Sequence, residues 1–187
     1  MVDYKFFKSI ISEHVKVVLD LPLDEISDFA DDVFKTLDRG GKVIFFGNGG
    51  SAAQASHWAE EFVGRFVKKR KSLAAIALGT NFSNITGIAN DFGFEEVFAR
   101  EIEALGNKKD LAVGISTSGN SPNVLRGLQA ANSKKIKTWI LTGNTKNKAK
   151  RISDKVLAIN SDKTANIQEL HALIIHMVLE LVDREYV

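Results

Sequence analysis

The sequence predicts an α/β fold in which a parallel sheet is covered by helices on both faces, and three observations carry that prediction. Five short, almost wholly apolar runs recur between residues 42 and 159, each followed by a longer stretch with helical spacing. Glycine and serine concentrate where the first and third runs end, which is where an open α/β sheet holds its ligands. The 187 residues, 44% of them hydrophobic, suffice for one well-buried domain and are few for two.

Two amphipathic stretches lead, at about residues 3–19 and 23–38. Their apolar residues fall at helical spacing: Phe7, Ile10, Ile11, Val15 and Val18, then Ile26, Phe29, Val33 and Leu37. Leu21-Pro22-Leu23 separates them, with Pro22 near the start of the second. They form a predicted helical hairpin over 1–39, whose first helix is apolar enough to pack on another subunit.

The α/β sandwich is expected over 40–187 of the same single domain, with strands at 42–46 (KVIFF), 73–78 (LAAIAL), 111–115 (LAVGI), 137–142 (KTWILT) and 155–159 (KVLAI). Helices are expected near 51–66, 82–104, 121–134, 145–151 and 165–184.

Composition removes several function classes. Charges nearly cancel, at a formal +2, and no basic stripe with interleaved aromatics appears, so nucleic acid is not an expected partner. The one basic run, Lys68-Lys69-Arg70-Lys71, reads as a solvated loop. The absence of cysteine excludes disulfides, thiolate zinc sites and cysteine nucleophiles, leaving His, carboxylate and amide groups as metal ligands. The opening MVDYKFFKSIISEHVKVVLDL carries charge throughout, unlike a signal peptide, and no stretch reaches the ~20 apolar residues that span a bilayer. A cytoplasmic protein with no membrane association is therefore expected.

Two loops have the character of anion sites. Gly47-Asn48-Gly49-Gly50-Ser51 follows the first strand and opens a helix, so backbone N–H groups and a partial positive charge meet where the chain can approach a ligand closely. Such a turn also serves as a plain strand-to-helix connection. The second loop, Ser116-Thr117-Ser118-Gly119-Asn120-Ser121, carries four hydroxyls before Pro122 begins a helix. An N-cap role for Ser121 would leave the other three hydroxyls unexplained, so binding is the favoured reading. No Lys follows the glycines as in a nucleoside triphosphate P-loop, and a sugar phosphate fits better.

His57 and Glu61 stand four residues apart on one helix face, and Gln168 and His176 share one side of the last helix. His, carboxylate and amide groups can hold a divalent metal, and facing imidazole and carboxylate can move protons. From spacing alone, an i, i+4 His/Glu pair is more often a surface hydrogen bond. Gln168 and His176 lie ~12 Å apart along the helix, so a kink or a ligand from another subunit would help them reach one ion. His14 and His171 are expected to be structural.

Taken together, GNGGSAAQASHWAEEFVGRF, IANDFGFEEVFAR, GISTSGNSPNV and NIQELHALIIH resemble the SIS (sugar isomerase) domain family, specifically its phosphoheptose isomerase branch, over nearly the whole chain. The resemblance implies a flavodoxin-like three-layer α/β/α sandwich with a five-stranded parallel sheet, assembled as a homotetramer with active sites at subunit interfaces. It implies isomerisation of sedoheptulose 7-phosphate to D-glycero-D-manno-heptose 7-phosphate, the first step toward nucleotide-activated heptose.

By the same resemblance, Asn48, Gly49, Gly50, Asn90, Asp91, Ser116, Thr117, Ser118 and Ser121 contact the sugar phosphate, as do Glu61 and Gln168. His57, Glu61, Gln168 and His176 match zinc-binding positions, Glu61 and His176 match the acid–base pair, and Arg65 matches an arginine near the active site. Ala52-Ala53 and Asn166 depart from the family pattern, which has His-Cys and Arg there. Some similar proteins are non-catalytic tetramers that bind the DnaA replication initiator, and others sense sugar phosphates. The initiator-binding ones typically lack the carboxylate and the last-helix histidine, whereas Glu61 and His176 are both present here.

Overall fold

The computed structural model of the protein describes residues 3–144 and 147–187. Five strands, β1 (Val43–Gly47), β2 (Ala75–Ala77), β3 (Leu111–Ile115), β4 (Lys137–Gly143) and β5 (Lys155–Ile159), form one sheet in the order β2-β1-β3-β4-β5. Every pairing is parallel, with Phe45 opposite Ala77 on one side and Val113 on the other. This is the flavodoxin-like order.

The near-continuous apolarity of the strands follows from burial on both faces. All of β1 is buried. Val43 and Phe45 enter one core with Leu111, Val113, Trp139 and Leu157, while Ile44 and Phe46 enter the other with Ala112 and Ile140. The first core is covered by α2 (Leu23–Asp38), α3 (Gly50–Val63) and α7 (Thr164–Glu185). The second is covered by α5 (Val97–Leu105) and α6 (Pro122–Ser133), with α4 (Phe82–Phe92) at its margin. Phe29 and Trp139 meet edge to face at 5.1 Å, joining α2 to β4.

Helix α1 (Tyr4–Leu19) has no buried residue, and Phe6, Phe7, Ile10, Ile11 and Val15 all face outward. It touches the body where His14 Nδ1 meets Asn166 Oδ1 at 3.3 Å and Glu169 Oε2 at 3.1 Å, both on α7.

Several expectations need correction. The single helix expected over 82–104 is two helices, because Gly93 takes φ +97°, a conformation that ends α4 and that side-chain-bearing residues avoid. A 3₁₀ turn at Phe94–Glu96 then leads into α5. Of the helix expected over 145–151, residues 145 and 146 lie outside the described residues, and the remainder contains a single 3₁₀ turn, Ala149–Arg151. Strand β2 spans three residues rather than six, and α3 ends at Val63 rather than at 66.

The basic run is not uniformly solvated: Lys68, Lys69 and Lys71 are exposed, but the Arg70 side chain is fully buried against Asp183. By length and mean hydropathy helix α7 resembles a membrane-crossing helix, although polar residues interrupt it throughout. Here it is a core helix, with Leu170, Ile174, Val178 and Val182 completely buried.

Candidate active site

The chain leaves β1 toward β2 and leaves β3 toward β4, so the loops after these neighbouring strands diverge and open a crevice at the carboxyl edge of the sheet. The glycine loop forms one wall. Gly49 takes φ +54° at the N-cap of α3. A Cβ on Gly50 would lie 2.6 Å from Gln168 Nε2, so only glycine there lets the α7 amide lie against the first turn of α3. The two helices are tied again where Gln54 Nε2 donates to Gln168 O at 2.7 Å.

The serine loop forms the other wall and is folded on itself. Ser116 Oγ and Ser121 Oγ lie 3.2 Å apart, Gly119 N donates to Ser116 Oγ at 3.1 Å, and Asn120 N donates to Ser118 Oγ at 3.2 Å. Thr117 is half-buried, and its carbonyl accepts from Gly143 N at 3.0 Å. Ser121 occupies the N-cap position of α6, yet its hydroxyl caps no backbone N–H and faces Ser116 instead. The loop therefore presents hydroxyls beside a helix N-terminus, an arrangement suited to an anion.

The two walls are joined by a residue that sequence reasoning missed. Asn48 and Asn123 exchange a reciprocal pair of amide hydrogen bonds, each 2.8 Å, across 75 positions of chain. Asn123 is buried and also accepts from Val124 N at 3.0 Å. Its place directly after Pro122 in the first turn of α6 was the available signal.

Further along α3 and α7 the histidine end is assembled. His57 Nε2 and Glu61 Oε1 lie 3.0 Å apart. The His57 and His176 rings meet edge to face at 5.7 Å, and Phe66 stacks on His176 at 5.3 Å with an interplanar angle of 24°. Among the described residues His176 Nε2 is buried without a hydrogen-bond partner, an arrangement that burial penalises unless something else supplies one. Gln168 sits at the glycine loop and His176 at His57, so α7 spans from one part of the site to the other.

His171, on the same helix, is completely buried, and its Nε2 lies 3.4 Å from Thr142 O. Burial lowers its pKa from 6.5 to about 4 against the opposing pull of that carbonyl. It is a neutral structural histidine, as expected.

Arg65 lies in the loop beyond α3 and donates to Val67 O at 3.0 Å. Asn90 and Asp91 are exposed on α4, where Asn90 Nδ2 donates to Asp91 Oδ1 at 2.8 Å, and no hydrogen bond among the described residues links them to either loop.

Among the described residues, no three His, Asp or Glu side chains converge as a metal-holding group. The donor types suit zinc: the His57 imidazole and Glu61 carboxylate lie 3.0 Å apart, the His176 ring is 5.7 Å from that of His57, and its buried Nε2 has no hydrogen-bond partner among the described residues.

The SIS domain family matches residues 5–143. The chain belongs to the SIS domain family. A probable phosphoheptose isomerase from Thermoplasma acidophilum is 44% identical over 179 residues, covering 96% of this chain and 98% of that protein. A phosphoheptose isomerase from Helicobacter pylori is 49% identical over 154 residues, covering 82% and 80%. The solved phosphoheptose isomerase from Neisseria gonorrhoeae superposes with a TM-score of 0.90 at 35% identity over 96% of this chain and 98% of that one. Among these SIS relatives, the Neisseria structure matches the architecture described above over nearly the whole chain.

Proposed function

We propose that the protein is a phosphoheptose isomerase that interconverts sedoheptulose 7-phosphate and D-glycero-D-manno-heptose 7-phosphate. The observation carrying this reading is the histidine end, where Glu61 and His176 approach His57 from two helices and His176 Nε2 is left without a partner. A protein that only bound a sugar phosphate would need the two loops but not this group. The full-length similarity to phosphoheptose isomerases supports the same substrate class.

In this reading the serine loop and the α6 N-terminus anchor the phosphate, with Asn48, Gly49, Gly50 and Gln168 along the sugar. The Glu61 carboxylate takes the proton from C1 of the open-chain ketose and returns it to C2 of the enediol. His176 moves the hydroxyl proton between the two oxygens, so the carbonyl passes from C2 to C1 without a redox cofactor. His57, Glu61, Gln168 and His176 would hold a zinc ion, which polarises the carbonyl oxygen when bound. Glu61 serves as base only when it is not fully engaged as a ligand.

The working unit in this reading is a homotetramer with sites between subunits, acting in the cytoplasm. Three features support it: the outward apolar face of α1, the exposed Phe82, Phe92 and Phe94 around α4, and Asn90 and Asp91 standing clear of their own chain's loops. Sedimentation as a single chain at micromolar concentration would remove it.

The function is tested by turnover across seven-, six- and five-carbon ketose phosphates, with and without a chelator. Chelator-sensitive conversion of sedoheptulose 7-phosphate well above the shorter sugars is expected. Saturable sugar-phosphate binding with no turnover in any arm would replace the enzyme by a binding module.

A further inference from the structure

Between α3 and β2 the chain runs through residues 64–74 without regular structure, a segment that would move freely unless pinned. Leu73 anchors its far end in the core, and one guanidinium with its carboxylate partner ties down the middle. Arg70 Nε donates to Asp183 Oδ1 at 2.8 Å, Nη1 to the carbonyls of Phe62 and Lys71 at 2.9 and 3.1 Å, and Nη2 to Glu61 O at 2.7 Å. The other Asp183 oxygen accepts from Val67 N and Lys68 N, both at 2.8 Å. Both side chains are essentially sealed from solvent.

Asp183 and His176 stand seven residues apart on α7, so they share one face of that helix. The loop crosses this face, laying the backbone of Val67 and Lys68 over Asp183 and the ring of Phe66 over His176. Phe66 itself is only half-buried at the rim of the core.

We infer that Arg70 and Asp183 are a positioning pair that sets both proposed proton carriers at once: Glu61 through its carbonyl, and His176 through the flat face of Phe66. The inference rests on the isomerase reading for its consequence in turnover, but not for the geometry it asserts. Burial pushes the Asp183 carboxyl upward, but the Lys68 and Val67 N–H groups and the Arg70 guanidinium outweigh it, so the carboxyl stays below the usual range. The Asp183 carboxylate is thus ionised throughout the neutral range. A residue that merely filled space over His176 could be any apolar side chain. A residue that holds an imidazole plane needs a plane of its own.

The test uses Phe66→Ala, Phe66→Leu and Phe66→Tyr with Asp183→Asn in the full chain. Phe66→Ala is expected to keep its melting temperature within a few degrees, lose about tenfold in kcat on sedoheptulose 7-phosphate, and hold KM within about twofold. Phe66→Tyr recovers most of the kcat, whereas Phe66→Leu does not. Independently of activity, diethyl pyrocarbonate modification of His176, mapped by mass spectrometry, rises several-fold in Phe66→Ala and in Asp183→Asn.

Wild-type kcat in Phe66→Ala, full recovery by Phe66→Leu, or an unchanged His176 modification rate in Phe66→Ala would each overturn the inference. Should Asp183→Asn fail to fold, the Phe66 variants decide alone. If the unaltered protein does not turn over the heptose phosphate at all, the isomerase reading fails while the modification rates still judge the clamp.

Discussion

Within the serine loop, the hydroxyls of Ser116, Ser118 and Ser121 each have a partner, whereas His176 Nε2, at the far end of the same crevice, has none. In the first region Ser116 and Ser118 Oγ accept from the loop's own N–H groups and Ser121 Oγ meets Ser116 Oγ, so in the isomerase reading an arriving phosphate would meet a preformed cradle. The second region is assembled from two helices, and its buried nitrogen accepts from and donates to no group among the described residues. In the isomerase reading the contrast would separate a part that holds the ligand from a part that acts on it.

The largest expected effect breaks the reactive end alone. Glu61→Gln keeps the size of the side chain and removes the base, and kcat should fall by about 10²–10⁴ with little change in KM. Steady-state assays with sedoheptulose 7-phosphate decide it; a variant with undiminished kcat would return Glu61 to the status of a surface hydrogen-bond partner. Next, dialysis against a zinc chelator should lower kcat by at least tenfold and zinc should restore it. Equilibrium binding of inorganic phosphate should be untouched, because the cradle contains no proposed metal ligand.

Removing a hydroxyl from the cradle should do the reverse. Ser116→Ala deletes a group that serves both Gly119 and Ser121, and a loss of ~1.4 kcal/mol in binding would raise KM about tenfold while kcat changes less.

The smallest effect on turnover belongs to His171, five residues before His176 on the same helix. Its folded pKa, about 4, lies below the ordinary 6.5, so the unfolded chain binds the extra proton first as pH falls. Its neutral form is fully compatible with the fold above pH 6.5, and stability worth about 2–3 kcal/mol is lost as pH drops through that window toward 4. Urea unfolding at pH 7.5 and 4.5 measures it: His171→Leu should flatten the pH dependence and leave neutral kcat near that of the unaltered chain.

How much of this was legible in the sequence depended on whether a feature is local. Strand β1, the glycine loop and the start of α3 follow from an apolar run, a turn and a helix within twenty residues, and the β1/β3 crevice follows from where glycine and serine collect. The break at Gly93 was hidden because the residues on both sides keep helical spacing, and one positive φ angle outweighs them. Arg70 was hidden for a different reason. Four consecutive basic residues look alike in sequence, and only Asp183, 113 positions away, distinguishes the one that turns inward. The pairing of Asn48 with Asn123 and the stacking of Phe66 on His176 are likewise products of the folded chain, with no periodicity to announce them.

The reciprocal amides of Asn48 and Asn123 carry a consequence for how this chain can change over evolutionary time. Each side chain gives one hydrogen bond and takes one, so the pair is matched only by a second carboxamide. An aspartate at either position would set two acceptors face to face, and an alanine at 48 would strand the buried Asn123 Nδ2 donor while its Oδ1 still accepts from Val124 N. The two positions are therefore constrained together, and a library randomised at both should return functional chains that overwhelmingly keep a carboxamide at each.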